Sequence, residues 1–226
     1  MIQPADDRAH PLADKFRSFI REPSFPCVGA KSALGRDSLR IIVARNMRSG
    51  WDDLRILPSL MELAAAYRAD PEPFQSLAVV FDTDEGVDEA EFERLLWQRL
   101  KSLSDKDEWL GQQPDPRVSH DPDDPHFAMS FGGEAFFVVG LHPGASRPAR
   151  RFSHPVIVFN LHDQFERLRA SGLYDRLSTK IIDRDVALAG SANPMLAPHG
   201  TVSAARQYSG RAVDADWRCP FSGRAA

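Results

Sequence analysis

The sequence predicts an α+β (or α/β) domain: a single sheet flanked by helices and finished by a long ordered C-terminal loop segment. Three observations predict it. Short apolar runs rich in β-branched residues alternate with amphipathic helical periods along most of the chain. No internal repeat and no clean shift of composition divides residues 1–226, so they read as a single domain. From residue 189 onward Gly, Pro, Ser and Arg replace any period, yet Tyr208, Trp217 and Phe221 lie there, and large aromatic residues belong to ordered chain.

The elements follow in order. Leu12, Phe16 and Ile20, four residues apart, predict a helix over 5–22, stopped by Pro23 and Pro26. The small-residue stretch 25–38 reads as loop, and LRIIVA at 39–44 as a strand. Trp51, Leu54, Leu57, Leu60, Met61, Leu63 and Tyr67 give a helix over 51–69 a broad apolar face. LAVVFD at 77–82 is apolar throughout, as an interior strand is. Residues 87–104 form the best amphipathic helix, with acids in its first turn where the helix dipole favours them. The Asp- and Pro-rich stretch 111–126 has no period and reads as a solvated surface loop, His120 and His126 included. Strands are expected at about 127–131, 135–141 and 155–159, then helices at about 162–171 and 174–188.

Composition excludes several classes. Lys plus Arg number 28 against 32 Asp plus Glu, a net charge of −4, so no nucleic-acid partner is indicated. Two cysteines, Cys27 and Cys219, cannot make a disulfide framework. The longest apolar runs, such as 135–141, fall far short of the ~18–20 residues that cross a bilayer, so no membrane partner is expected. The first residues carry acids and no apolar stretch, which points away from a secretory leader and towards the cytoplasm. Phosphate-loop, zinc-finger, zincin, nucleophile-elbow and dinucleotide-binding motifs are all missing.

Three segments carry candidate chemistry. In GLHPGASRPARRF at 140–152 a strand hands over to His142, and Arg147, Arg150 and Arg151 follow. An imidazole at a strand end can ligate a metal, and the planar guanidinium fork suits a carboxylate or phosphate. In FNLHDQFERLR at 159–169, Asn160 or His162 opens a helix, with Asp163 in its first turn and Glu166 beyond. The tail adds His199, then Arg206, Tyr208, Ser209 and Arg211 as donors, and Cys219 as a packed thiol or a thiolate ligand.

FPCVGAKSAL at 25–34, FFVVGLHPGASRPARRF at 136–152, PVIVFNLHDQFERLRASGLYDR at 155–176, RDVALAGSANPML at 184–196 and ARQYSGRAVDADWRCPF at 205–221 together resemble the YqcI/YcgG family. The resemblance implies a heme-dependent N-hydroxylase of the kind found in guanitoxin biosynthesis, a secondary-metabolism oxidoreductase. It implies heme b and its iron as cofactor, dioxygen or peroxide as oxidant, and a guanidino or amino group of a small amino-acid-like metabolite as substrate. An electron-donor protein and a homodimer are compatible with it. On this reading His142 is the proximal iron ligand, with His162 and His199 as alternatives and Cys219 or Cys27 as thiolate sources. Arg147, Arg150 and Arg151 would pair with the propionates, helped by Arg206, Tyr208 and Arg211. His162 and Glu166 would serve catalysis, and Glu134, Asp163 or Glu166 would meet a cationic substrate. One position departs from the family pattern: where an acid precedes ARQYSGR, this chain has Ala204. The alternatives are a heme carrier or redox sensor of the same fold, or an anionic-metabolite binder built on the arginine-rich edge.

Overall fold

The computed structural model describes residues 6–83, 86–198 and 200–221. Its five strands are β1 (Leu39–Ala44), β2 (Ser76–Phe81), β3 (Met129–Phe131), β4 (Glu134–Leu141) and β5 (Val156–Leu161). They form one open sheet in the order β1-β2-β5-β4-β3. β1 and β2 run parallel and every other pair is antiparallel, which makes the fold α+β. The helices are α1 (Pro11–Arg21), α2 (Val28–Gly35), α3 (Asp53–Ala69), α4 (Glu89–Trp109), α5 (His162–Ala170), α6 (Tyr174–Ala189) and the short α7 (Ala205–Tyr208).

The period of two in each strand divides the core. Ile42, Leu77, Val79, Phe81, Phe136, Val138, Ile157 and Phe159 point to the side covered by α3, α4 and the C-terminal segment. Ile41, Val43, Ala78, Val80, Leu141 and Val156 point to the side covered by α1 and α2. β2 is buried on both faces at all six positions, which accounts for its uninterrupted apolar sequence.

Local chemistry sets the helix ends. Asp88 accepts a hydrogen bond from the Glu91 N–H (2.8 Å) and so caps α4. α4 runs five residues past its expected end at 104, because Lys106 reaches the buried Asp53 of α3 (2.9 Å) and Asp107, itself buried, accepts from the Gly132 N–H (2.9 Å). α6 stops at Gly190, whose left-handed φ of 74° suits glycine. The expected loop 25–38 holds α2 instead. Small residues give it little apolar period, and a cysteine sulfur caps it, Cys27 Sγ accepting from the Ala30 N–H at 3.4 Å.

The C-terminal segment is ordered against the sheet, as expected. Tyr208 is fully buried against Trp97 of α4, and Ser209 and Arg211 bond the buried carboxylate of Glu93. Glycine at 140 permits this closeness: a Cβ there would lie 2.5 Å from the Phe92 ring and 3.0 Å from the Tyr208 carbonyl.

Candidate functional site

A cleft of about 920 Å³ opens where β5 runs into α5, near the upper end of the range for small-molecule and cofactor sites. Four parts of the chain line it. They are the segment between α4 and β3 (Asp115, Arg117, His126), β4 (Phe137), the helices α5 and α6 (His162, Asp163, Phe165, Glu166, Arg169, Tyr174, Asp175), and the C-terminal segment (Leu196, Ala204, Gln207). The 111–126 stretch is therefore a wall of the cleft rather than an idle surface loop. Its lack of apolar residues concealed this role.

His162 is the first residue of α5 and its side chain is one-fifth exposed, with Nε2 3.9 Å from Glu166 Oε1 one turn along the helix. Glu166 also accepts from Arg169, whose guanidinium lies 4.3 Å from the centre of the Tyr174 ring. Asn160 does not cap this helix. Its amide group pairs instead across the sheet, with the Ser76 hydroxyl at 2.8 Å and the Phe137 carbonyl at 3.3 Å.

One wall of the cleft carries Asp115, Arg117 and Asp163, with Glu134 beside them. Asp115, Glu134 and Asp163 surround the Arg117 guanidinium at 2.6, 2.6 and 3.3 Å. Burial pushes the Asp115 carboxyl up, but the Arg117 hydrogen bonds outweigh it and hold the group below the usual range. Asp163 is likewise lowered: burial opposes ionisation, and Arg167 and the Tyr67 hydroxyl overcome it. Tyr67, correspondingly, is raised, first by burial and then by donating to Asp163. Asp175 is exposed on the rim. Ala204 lines the same cleft.

The other predicted residues lie elsewhere. Antiparallel pairing sets Phe136 opposite Leu161 and Leu141 opposite Val156, so His142 and His162, each following a strand end, stand at opposite ends of the sheet, about 20 Å apart at ~3.4 Å per residue. His142 is 1% exposed and stacked on Phe92 (4.3 Å between ring centres), and its Nδ1 has no hydrogen-bond partner. The arginines beside it bond their own chain. Arg147 pairs with Asp185, Arg150 donates to the carbonyls of Gly140 and Tyr208, and Arg151 to those of Ala145 and Ser146. Arg206 meets the carbonyls of Asp214 and Trp217, and Arg211 pairs with Glu93. Tyr208 donates to the Phe136 carbonyl (3.3 Å) from inside the core. Cys219 packs against the core with its thiol pushed up to about 12 by burial, and Cys27 is also raised by burial. His199 lies outside the described residues.

Burial lowers the His142 imidazole from its ordinary 6.5; the nearby Glu89, Val87 backbone and Asp88 oppose the shift, and Arg150 adds to it. The unfolded chain therefore binds this proton at higher pH than the folded one. Stability rises with pH through the window below 6.5 and is lost as pH falls through it. The urea midpoint is expected to drop between about pH 6.5 and about pH 5, and His142→Phe should flatten that drop. An equally steep drop in the variant would assign it to another group.

Among the described residues no helix is long and apolar enough to cross a membrane. The sequence profile of the YqcI/YcgG family matches residues 16–222. The chain is 30% identical over 164 residues to "Uncharacterized protein YcgG" of Bacillus subtilis (strain 168), covering 70% of this chain and 63% of that protein. It is 30% identical over 169 residues to "Uncharacterized protein YqcI" of the same organism, covering 72% of this chain and 64% of that one. The match thus spans less than two thirds of either relative's length. No solved structure matches the chain. With the profile running from within α1 through the whole sheet, every part of the chain that lines the cleft and the C-terminal segment, the chain belongs to the YqcI/YcgG family.

Proposed function

We propose that the protein is a heme-dependent N-hydroxylase acting on a guanidino or amino group of a small amino-acid-like metabolite. The observation that carries this reading is the place of one family-like segment: FNLHDQFERLR sets His162, Asp163, Glu166 and Arg169 on the wall of a cleft large enough for a cofactor and a small substrate.

The residues present fit a heme. Phe137, Phe165, Ile182 and Leu196 offer flat apolar surface, and His162 offers an imidazole. Arg169, on the same wall, would exchange its Glu166 partner for a propionate. A porphyrin supplies most of the iron's ligands itself, so it does not need the groups of three or more His, Cys, Asp or Glu that are missing among the described residues. His142, closed behind Phe92, is not at the cleft, and the proposal therefore gives the iron to His162. When bound, the heme supplies the activation of dioxygen or peroxide.

The chain's own residues do the rest. Glu166 Oε1, 3.9 Å from Nε2 of His162, is the carboxylate that would orient the imidazole once it held the iron. Asp163 and Asp175 give the wall negative charge for a cationic substrate. Ala204 leaves its part of the wall uncharged, which favours a different amine from those bound where an acid stands. The aromatic and aliphatic walls exclude water around the reacting nitrogen.

The test is a hemin titration of the purified protein followed by its visible spectrum, then incubation of the loaded protein with reductant, dioxygen and a panel of guanidines and amines. A saturable Soret band and the gain of one oxygen atom on a panel member, read by mass spectrometry, are expected. Hemin binding without oxygen gain would mark a carrier or sensor. A protein that takes up no hemin would overturn the proposal.

A further inference from the structure

We infer that Arg117 is the specificity-determining residue of the cleft: it fills a carboxylate seat on the cleft's wall and exchanges there with the guanidinium of a ligand. The inference rests on the cleft being the ligand site proposed above, and names what that wall recognises.

The seat already holds a guanidinium in the structure. Arg117 donates from Nε to Asp115 Oδ1 (2.8 Å) and from Nη2 to Asp115 Oδ2 and Glu134 Oε2 (both 2.6 Å). Its Nη1 lies 3.3 Å from Asp163 Oδ1. Two carboxylates take the fork and a third faces its other arm, an arrangement a compact ammonium group cannot span.

The acids are held independently of that side chain. Asp115 accepts from the backbone N–H groups of Arg117 (2.9 Å) and Ala135 (3.0 Å). Asp163 accepts from the Tyr67 hydroxyl (2.9 Å) and from Arg167 (2.6 Å), and Glu134 has Arg68 at 3.6 Å. Asp115 and Glu134 are almost wholly buried, at 1% and 4% exposure. Arg117, by contrast, has a side chain 52% exposed and sits on a segment between α4 and β3 that has neither helix nor strand. If the cation leaves, Asp115 and Asp163 keep these bonds.

Replacing one guanidinium by another preserves the number of charge-assisted hydrogen bonds, so the exchange is close to balanced. The ligand's apparent affinity is then its intrinsic affinity reduced by the fraction of time the seat is open. Removing the built-in occupant lifts that reduction.

The test is isothermal titration calorimetry on the heme-free full chain, with agmatine as the forked probe and choline as a cation without a fork. Arg117→Ala is expected to bind agmatine about tenfold tighter than wild type, as removal of an occupant that fills the seat ~90% of the time gives. Choline should gain nothing, and Asp163→Asn in the same background should remove most of the gain. Arg117→Lys, which keeps the charge without the fork, should show a smaller gain in the same direction and serves if the alanine variant does not fold. Unchanged or weaker agmatine binding in the folded variants overturns the inference. Because the readout needs no heme, a gain without hemin uptake would leave the seat standing and the hydroxylase proposal fallen, and hemin uptake without a gain the reverse.

Discussion

His162→Ala is expected to weaken hemin binding by roughly 100-fold or more, the scale set by loss of a metal's protein ligand or its close support. The protein should still fold, because His162 sits at the start of α5 with part of its ring exposed. His142→Ala is expected to do the opposite. Its ring is packed face to face on Phe92 behind Gly144, so truncation leaves a cavity and lowers stability by about 2 kcal/mol while hemin binding survives. Parallel hemin titrations and urea curves of the two variants separate the roles. Retained hemin in His162→Ala together with loss in His142→Ala would return the iron to the far end of the sheet. Retention in both would leave His199 or a thiolate as the ligand.

Tyr208→Ala is expected to destabilise the protein by about 3–5 kcal/mol, the cost of removing a large ring from a closed core. Tyr208 is 0% exposed. It stacks on Trp97 at 5.7 Å and meets Phe137 edge-on at 5.4 Å, so it joins α4, β4 and the C-terminal segment. Tyr208→Phe keeps the ring and loses only the bond to the Phe136 carbonyl, and should cost about 1 kcal/mol. Urea denaturation measures both. Because Phe137 lines the cleft, the alanine variant should also loosen hemin binding, whereas the phenylalanine variant should not. Equal, small losses in the two variants would show that the segment is held mainly by Arg150, Arg211 and Glu93.

The fold was legible where burial imposes a period. β1 was found to the residue, and β2, β4, α3, α5 and α6 to within two, because each presents apolar groups every second or every third to fourth position. α2 was invisible for lack of such contrast, since Val28, Ala30 and Ala33 are small and a sulfur does the capping. α1 begins at Pro11, well inside the expected 5–22, because proline fits the first turn and His10 Nδ1 caps it by accepting from the Leu12 N–H at 3.2 Å.

The lining of the candidate cleft was legible only in part. His162, Asp163 and Glu166 announced themselves by following a strand directly. Arg117 and Asp115 did not, because a polar segment has the same composition whether it faces water or a cleft. At the arginine-rich edge the sequence leaves two readings open: a guanidinium that ties loops together and one that binds an anion look alike until their partners are seen. Arg147, Arg150 and Arg151 are occupied by Asp185 and by main-chain carbonyls.

The strand order also bears on how the chain emerges during synthesis. β1 and β2 pair side by side early, but the other edge of β2 waits for β5, with Ser76 bonded to Asn160 across 84 residues. Until β5 leaves the ribosome, a strand apolar from Leu77 to Phe81 presents an unpaired edge, a template for adventitious pairing between nascent chains. Overexpression should therefore show its losses as aggregation of incomplete chains, and a truncation ending before residue 156 should be insoluble although it carries four of the five strands.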